Sequence, residues 1–300
     1  MLNCDACSSR TKIEVSATAF AGLVSSCYNN GNACPSVYNV PIGCWDTSEV
    51  TDMTFAFNEI ELFDDSINCW NTARVTDMNR MFVGATNFNQ PLDDWNVASV
   101  NYMGAMFLRA SNFNQPLNDW NVASVTKMRY MFFQATSFNQ LLNDWNVASV
   151  TDMGNMFEAA TNFNQPLDDW NVASLEYMNL MFQQATNFNQ PLDDWNVASV
   201  KSMDSMFQQA TNFNQPLDDC NVASVVYMLS MFSEATNFNQ CLSSWADKSG
   251  DKFVNNNIII FDDDETPTNV LVRSMFASSG CPNDADPDPS VSPWCQGEDE

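Results

Sequence analysis

Asp94, Asp119, Asp144, Asp169, Asp194 and Asp219 recur every 25 residues. Each stands just before a Trp, except Asp219, which precedes Cys220. A second acid or amide comes before them at Asp93, Asn118, Asn143, Asp168, Asp193 and Asp218. Asn96, Asn121, Asn146, Asn171 and Asn196 follow two residues behind the first five. A row of carboxylates can do one of three things. Two of them can flank a cleft and hydrolyse a glycoside, several can hold Ca2+ through hard oxygen ligands, or the row can face a partner. Hydrolysis requires one pair to differ from its neighbours, and here every copy is alike, so no enzyme is expected. No EF-hand loop exists, and Asp284-Ala285-Asp286-Pro287-Asp288 is too Pro-rich for a calcium loop. No metal site and no cofactor are therefore assigned, and a Ca2+-binding ladder is kept as the alternative. Carboxylates about 5 Å apart repel by roughly 1 kcal/mol per neighbour in water-like dielectric. Solvent and counter-ions, a Ca2+ row or a cationic partner must offset that repulsion.

The chain has no histidine, which removes the commonest general base and the commonest transition-metal ligand. Its ten cysteines, an even number, are read as disulfide partners in an oxidising compartment. Cys4 and Cys7 form a CxxC that has no second copy, so a compact zinc site is not expected. Cys44 and Cys69 each precede a Trp in adjacent repeats, and a bond between them is expected; Cys281 with Cys295 is the second expected pair. Cys4, Cys7, Cys27 and Cys34 allow three pairings, and Cys220 and Cys241 are left open.

These residues are positioned by a repeat. Trp45, Trp70, Trp95, Trp120, Trp145, Trp170, Trp195 and Trp245 mark a 25-residue period, with Cys220 in the vacant slot. Within each unit a Val or Leu, two Met, a Phe and an Ala follow at offsets 0, 3, 6, 7 and 10, as in Val100, Met103, Met106, Phe107 and Ala110. That spacing predicts one face of a short helix, with Ser99 or Ser124 as its cap. Pro116 then stops the helix, and Trp120 and Val122 alternate with Asp119 and Asn121 as a short strand would. Like units would stack with Trp on Trp. The Asn of each Phe-Asn-Gln corner, from Asn89 to Asn239, would form a structural ladder. The variable positions Asn101-Tyr102, Thr126-Lys127, Glu176-Tyr177 and Lys201-Ser202 lack the uniform Thr row of an ice-binding face.

The organisation read from this pattern is a Cys-rich cap over 1–43, repeats over 44–245, a divergent closing unit with an insertion over 246–281, and an acidic Pro-rich tail over 282–300. Ile13–Ser26 is compatible with a short helix in the cap, and Met275-Phe276 echoes the repeat. The fold class is α/β repeat: a right-handed leucine-rich-repeat-type solenoid of about eight to nine coils, with short parallel strands on one side and short helices on the other. With 37 acidic against 11 basic residues and a net charge of −26, nucleic acid and anionic membranes are poor partners. No 18-residue apolar stretch exists, so no transmembrane segment is expected. Met1–Arg10 shows no signal-peptide core, and a leader missing from this chain is the favoured explanation.

The unit VTDMxxMFxxATxFNQPLxxWNVAS resembles the repeat of the BspA-like leucine-rich-repeat surface proteins, a family also met in mycoplasma lipoproteins as a domain of unknown function. The likeness covers Pro41 to Trp245, and Tyr38–Trp45 and Cys281–Cys295 are similar to the caps of algal-type members. It implies export to the surface and recognition or adhesion, and it brings no catalytic residues. A departure is Cys220 in a Trp slot. The expected function is a non-enzymatic extracellular or cell-surface scaffold, monomeric, binding a cationic or neutral protein or polysaccharide. The outward Asp and Asn columns are the expected contact.

Overall fold

The computed structural model describes residues 7, 11–13, 17–28, 38, 40–240, 242, 245, 253–254, 270–271 and 275–281. Its ordering principle is the column. Trp45 and Trp70, Trp70 and Trp95, and Trp95 and Trp120 lie nearly parallel with ring centroids 6.3–6.4 Å apart. From Trp70 to Trp195, each indole Nε1 donates to the carbonyl of the Ile or Leu 28 residues back, at 2.8–3.1 Å. Two Phe columns run beside them: Phe107 stacks on Phe132 at 5.6 Å and Phe113 on Phe138 at 6.1 Å. These rings, the Met pairs and the Val, Leu and Ala of each unit are buried, so one apolar core runs through the stack. A fully buried Trp, Phe, Leu or Met contributes roughly 1.5–3 kcal/mol or more, repeated in every layer. The period and the stacked, inward-facing indoles are as the sequence predicts.

The expected helices are absent from the described repeats, and the expected strands are replaced by single bridges. Over Met103–Ala110 the chain makes two successive turns, closed by Met106 N–H to Met103 O at 3.3 Å and Ala110 N–H to Phe107 O at 3.0 Å. Ala105 and Arg109, third in each turn, have φ of 54° and 60°, the left-handed value a type II turn needs. Every second N–H leaves the layer. Met103, Ala105, Phe107 and Arg109 donate to the carbonyls of Lys127, Arg129, Met131 and Phe133, at 2.7–3.2 Å. The physical reason is room. A helix with its side chains is about 10 Å across, whereas the Phe column sets layers 5.2–5.7 Å apart on this side. Turns closing onto the third residue back return side chains to one side much as a helix does, so the periodicity misleads.

Isolated parallel bridges join Asp52, Asp77, Tyr102, Lys127, Asp152, Tyr177, Ser202 and Tyr227 in succession. These lie seven residues after each Trp rather than at it. Among the described residues only the first layer has a strand at its Trp: β1 (Thr11–Lys12) pairs in parallel with β2 (Trp45–Asp46). A second parallel pair, β3 (Phe253–Val254) with β4 (Val270–Leu271), lies in the divergent region. Helix α1 (Ala17–Tyr28) sets Phe20 edge-on to Trp45 and Trp70, with ring centroids at 6.4 and 5.5 Å. Met275 and Phe276 close the other end: Phe232 N–H donates to Met275 O at 2.8 Å, and Phe276 stacks on Phe232.

Cys44 is bonded to Cys7, with Cα atoms 5.5 Å apart, so the expected Cys44–Cys69 bridge does not form. The reason is the β1–β2 pairing, which brings the N-terminal segment against the free side of the first layer and offers Cys44 a partner there. Cys27, Cys69 and Cys281 are also disulfide-bonded. Cys295, Cys4, Cys34, Cys241, the acidic run before Thr266 and the tail lie outside the described residues.

Candidate functional site

The Asp and Asn columns flank the buried Trp column on one exposed face. Asp94, Asp119, Asp144, Asp169, Asp194 and Asp219 are all exposed, as are Asn96, Asn121, Asn146, Asn171 and Asn196. The alternation that buries Trp120 and Val122 turns Asp119 and Asn121 outward. Each Asn is held by its own turn: the N–H of Ala98, Ala123, Ala148, Ala173 and Ala198 donates to the Oδ1 of the Asn two residues before it, at 3.1–3.2 Å. That bond is an Asx-turn, and it leaves Nδ2 pointing outward as a donor.

The carboxylates divide into two sets. Asp94 accepts from Asn68 Nδ2 at 2.8 Å and donates its N–H to Asn68 Oδ1 at 3.1 Å. Asp144 is held in the same way by Asn118, and Asp169 by Asn143. The amide of one layer thus offsets the charge of the next. For Asp119, Asp194 and Asp219 the corresponding residues are Asp93, Asp168 and Asp193, which bring further charge instead of an amide. Carboxylates without an amide neighbour thus occur at Asp119 and again in the layers of Asp194 and Asp219. Among the described residues no three acids or cysteines converge to hold a metal ion.

The corner asparagines form the expected ladder. From Asn114 to Asn239, each N–H donates to the Oδ1 of the Asn one layer back, at 2.9 Å. The Gln beside each also donates its Nε2 to that oxygen, at 2.9–3.0 Å. Both acceptor sites of the carbonyl are occupied, so this column is structural. Ser99 and Ser124 do not cap helices; their hydroxyls donate to Ala73 O and Ala98 O of the layer before.

Two features escape the sequence reading. A Thr row does exist, one residue after each buried Ala: Thr86, Ser111, Thr136, Thr161, Thr186, Thr211 and Thr236. The row stands at a fixed place in the repeat rather than at its variable positions, and the recurring Ala-Thr pair marks it in the sequence. Beside its later half lies a groove of about 650 Å³. The second feature is a small apolar cavity of about 20 Å³, lined by Cys220, Trp195, Trp245 and Met and Leu side chains. It lies where the missing indole would stack.

Off this face, burial and ion pairing shift several groups. Burial pushes the Asp204 carboxyl up, against hydrogen bonds from the Leu229 N–H and the Ser202 hydroxyl. Burial also pushes Glu158 up. Lys201, hydrogen-bonded to Glu176 at 2.6 Å, holds that carboxyl low.

No helix of the described residues is long and apolar enough to cross a membrane. The Cys7–Cys44 bond suits an oxidising, non-cytoplasmic environment. No curated protein matches the chain. The family described as Mycoplasma protein of unknown function, DUF285, matches residues 25–144, 117–208 and 178–259. With those overlapping stretches running through nearly all the stacked layers, the chain belongs to the DUF285 family.

Proposed function

We propose that this protein is a non-enzymatic recognition or adhesion scaffold of the cell surface or extracellular space, built as a right-handed solenoid in the manner of the BspA-like surface proteins. The observation that carries this reading is the exposed face on which an Asp acceptor and an Asn Nδ2 donor recur together in successive layers beside the buried Trp column. A long face of repeated polar groups suits a protein or polysaccharide partner that is cationic or neutral. Disulfides support an extracellular setting. The calcium alternative is less favoured, because no three carboxylates converge among the described residues.

The test is a screen of the whole chain against arrayed glycans and surface proteins, repeated with Asp169→Asn, Asp194→Asn and Asp219→Asn combined. Binding that weakens at least tenfold in the variant, and weakens in the parent as salt rises, is expected. No bound partner, or a partner indifferent to the three substitutions, would remove the acidic face from consideration.

A further inference from the structure

The groove beside the Thr row is a second polar surface, distinct from the Asp and Asn face. One wall is a rail of side chains on left-handed backbone: Gln184, Gln209, Glu234 and Ser278, with φ of 56°, 59°, 60° and 56°. The rail is tied together. Gln184 Nε2 donates to Gln209 Oε1 at 2.7 Å, and Gln209 Nε2 donates to Glu234 Oε2 at 2.8 Å. Each amide spends one N–H and keeps the other, and its carbonyl keeps a lone pair.

The facing wall is the threonine row, and its chemistry changes along the stack. In the early layers the hydroxyls of Thr86, Ser111 and Thr136 donate to carbonyls of the preceding layer, at 3.3–3.5 Å. At Thr161, Thr186, Thr211 and Thr236, which line the groove, the hydroxyls make no hydrogen bond to the protein. Four uncommitted hydroxyls therefore face a pre-ordered amide rail. Ala159 stands two residues before Thr161, where Gln184 and Gln209 stand before their own Thr, and its methyl is too short to wall off that end.

The charge of this strip is as informative as its shape. In a chain of net charge −26 the described lining of the groove holds one carboxylate, Glu234, and no cation. Recognition here must run on hydrogen bonds rather than on charge. Amides and hydroxyls both donate and accept, which matches sugar hydroxyls. Layers about 5 Å apart also keep step with an extended β-linked glycan, whose residues advance by a similar distance. The tied rail has little side-chain freedom left to lose on binding.

We propose that this groove binds an extended, uncharged β-linked glycan, with successive sugars meeting successive layers. The inference goes beyond the acidic face and does not depend on it. The experiment titrates the full chain with a β-1,4-linked glucose hexamer, and separately with an α-1,4-linked one, by calorimetry and amide chemical shifts. Saturable binding of the β-linked hexamer is expected, with a dissociation constant on the order of 0.1–1 mM. Thr186→Val with Thr211→Val should weaken it at least tenfold while leaving the melting midpoint within a few degrees. Gln209→Ala provides a second reading should the valine pair disturb folding. Asp194→Asn with Asp219→Asn should leave the affinity unchanged. The proposal is overturned by no saturation with either hexamer at about 10 mM, by binding of the α-linked form alone, or by equal affinity in the groove variants. Affinity lost only through the aspartate variants would move the glycan to the acidic face, overturning this site while supporting that one.

Discussion

At the scale of single residues, burial makes Asp204 a source of pH dependence. Its Oδ1 accepts the Leu229 N–H at 2.8 Å, and burial nonetheless raises its carboxyl above the ordinary aspartate value. A raised pKa in the folded state means that folding favours the protonated acid. The ionised group costs stability at neutral pH, and that cost fades as pH falls through the folded value toward the unfolded one. Asn79 shows the alternative, since its Oδ1 accepts the Gly104 N–H at 2.6 Å without carrying a charge. Asp204→Asn should therefore stabilise the fold at pH 7 by less than about 1 kcal/mol, the group being partly screened by solvent. Urea unfolding at pH 7 and near pH 4 checks this, with the gain vanishing at the lower pH. Cys220 poses a packing problem instead. An indole in its place would find the Leu192 carbonyl, the acceptor 28 residues back that Trp245 finds at Leu217. Cys220→Trp should fill the cavity and add about 1–2 kcal/mol, read as a shift in the denaturation midpoint.

At the scale of elements, the unusual unit is the turn pair. Sixteen non-glycine residues among those described have positive φ, nearly always two per layer, and only Gly84 is the residue such a position favours. Ala159 and Ala160 make the consequence measurable. Ala159 has φ of 55°, so Ala159→Gly should be neutral or stabilising by up to about 1 kcal/mol. Ala160 is fully buried and outside the left-handed set, so Ala160→Gly should destabilise by about 1 kcal/mol. Thermal melts of the two variants should move apart. This element is also where sequence reasoning falls short. The 25-residue period, the buried Trp, Met and Phe and the Asn ladder are legible, because each is a matter of which side chains recur. Whether an N–H bonds within its own layer or to the next leaves no mark on side-chain type. A turn pair occupied by Arg, Gln, Tyr or Ala therefore reads as a helix.

At the scale of the whole molecule, charge and cross-links follow different rules. The acidic face is legible from strand-like alternation around Trp120 and Trp145. Its division into amide-held and unrelieved carboxylates depends on a neighbour 26 residues away, as Asn118 is from Asp144. The Cys7–Cys44 bond is invisible from the repeat, because it is set by where the non-repeating segment lands. The Thr groove is a property of several layers together and exists in no single one.

The backbone ladder from each layer to the next has a further consequence. Phe107 seeks a carbonyl 24 residues ahead at Met131, and Phe132 seeks the equivalent one at Met156. A cut that removes one entire unit therefore rejoins compatible edges, while a cut one residue longer or shorter throws every later column out of alignment. Such a molecule changes length in whole steps, so gaining or losing a unit lengthens or shortens its exposed faces without redesigning its interior.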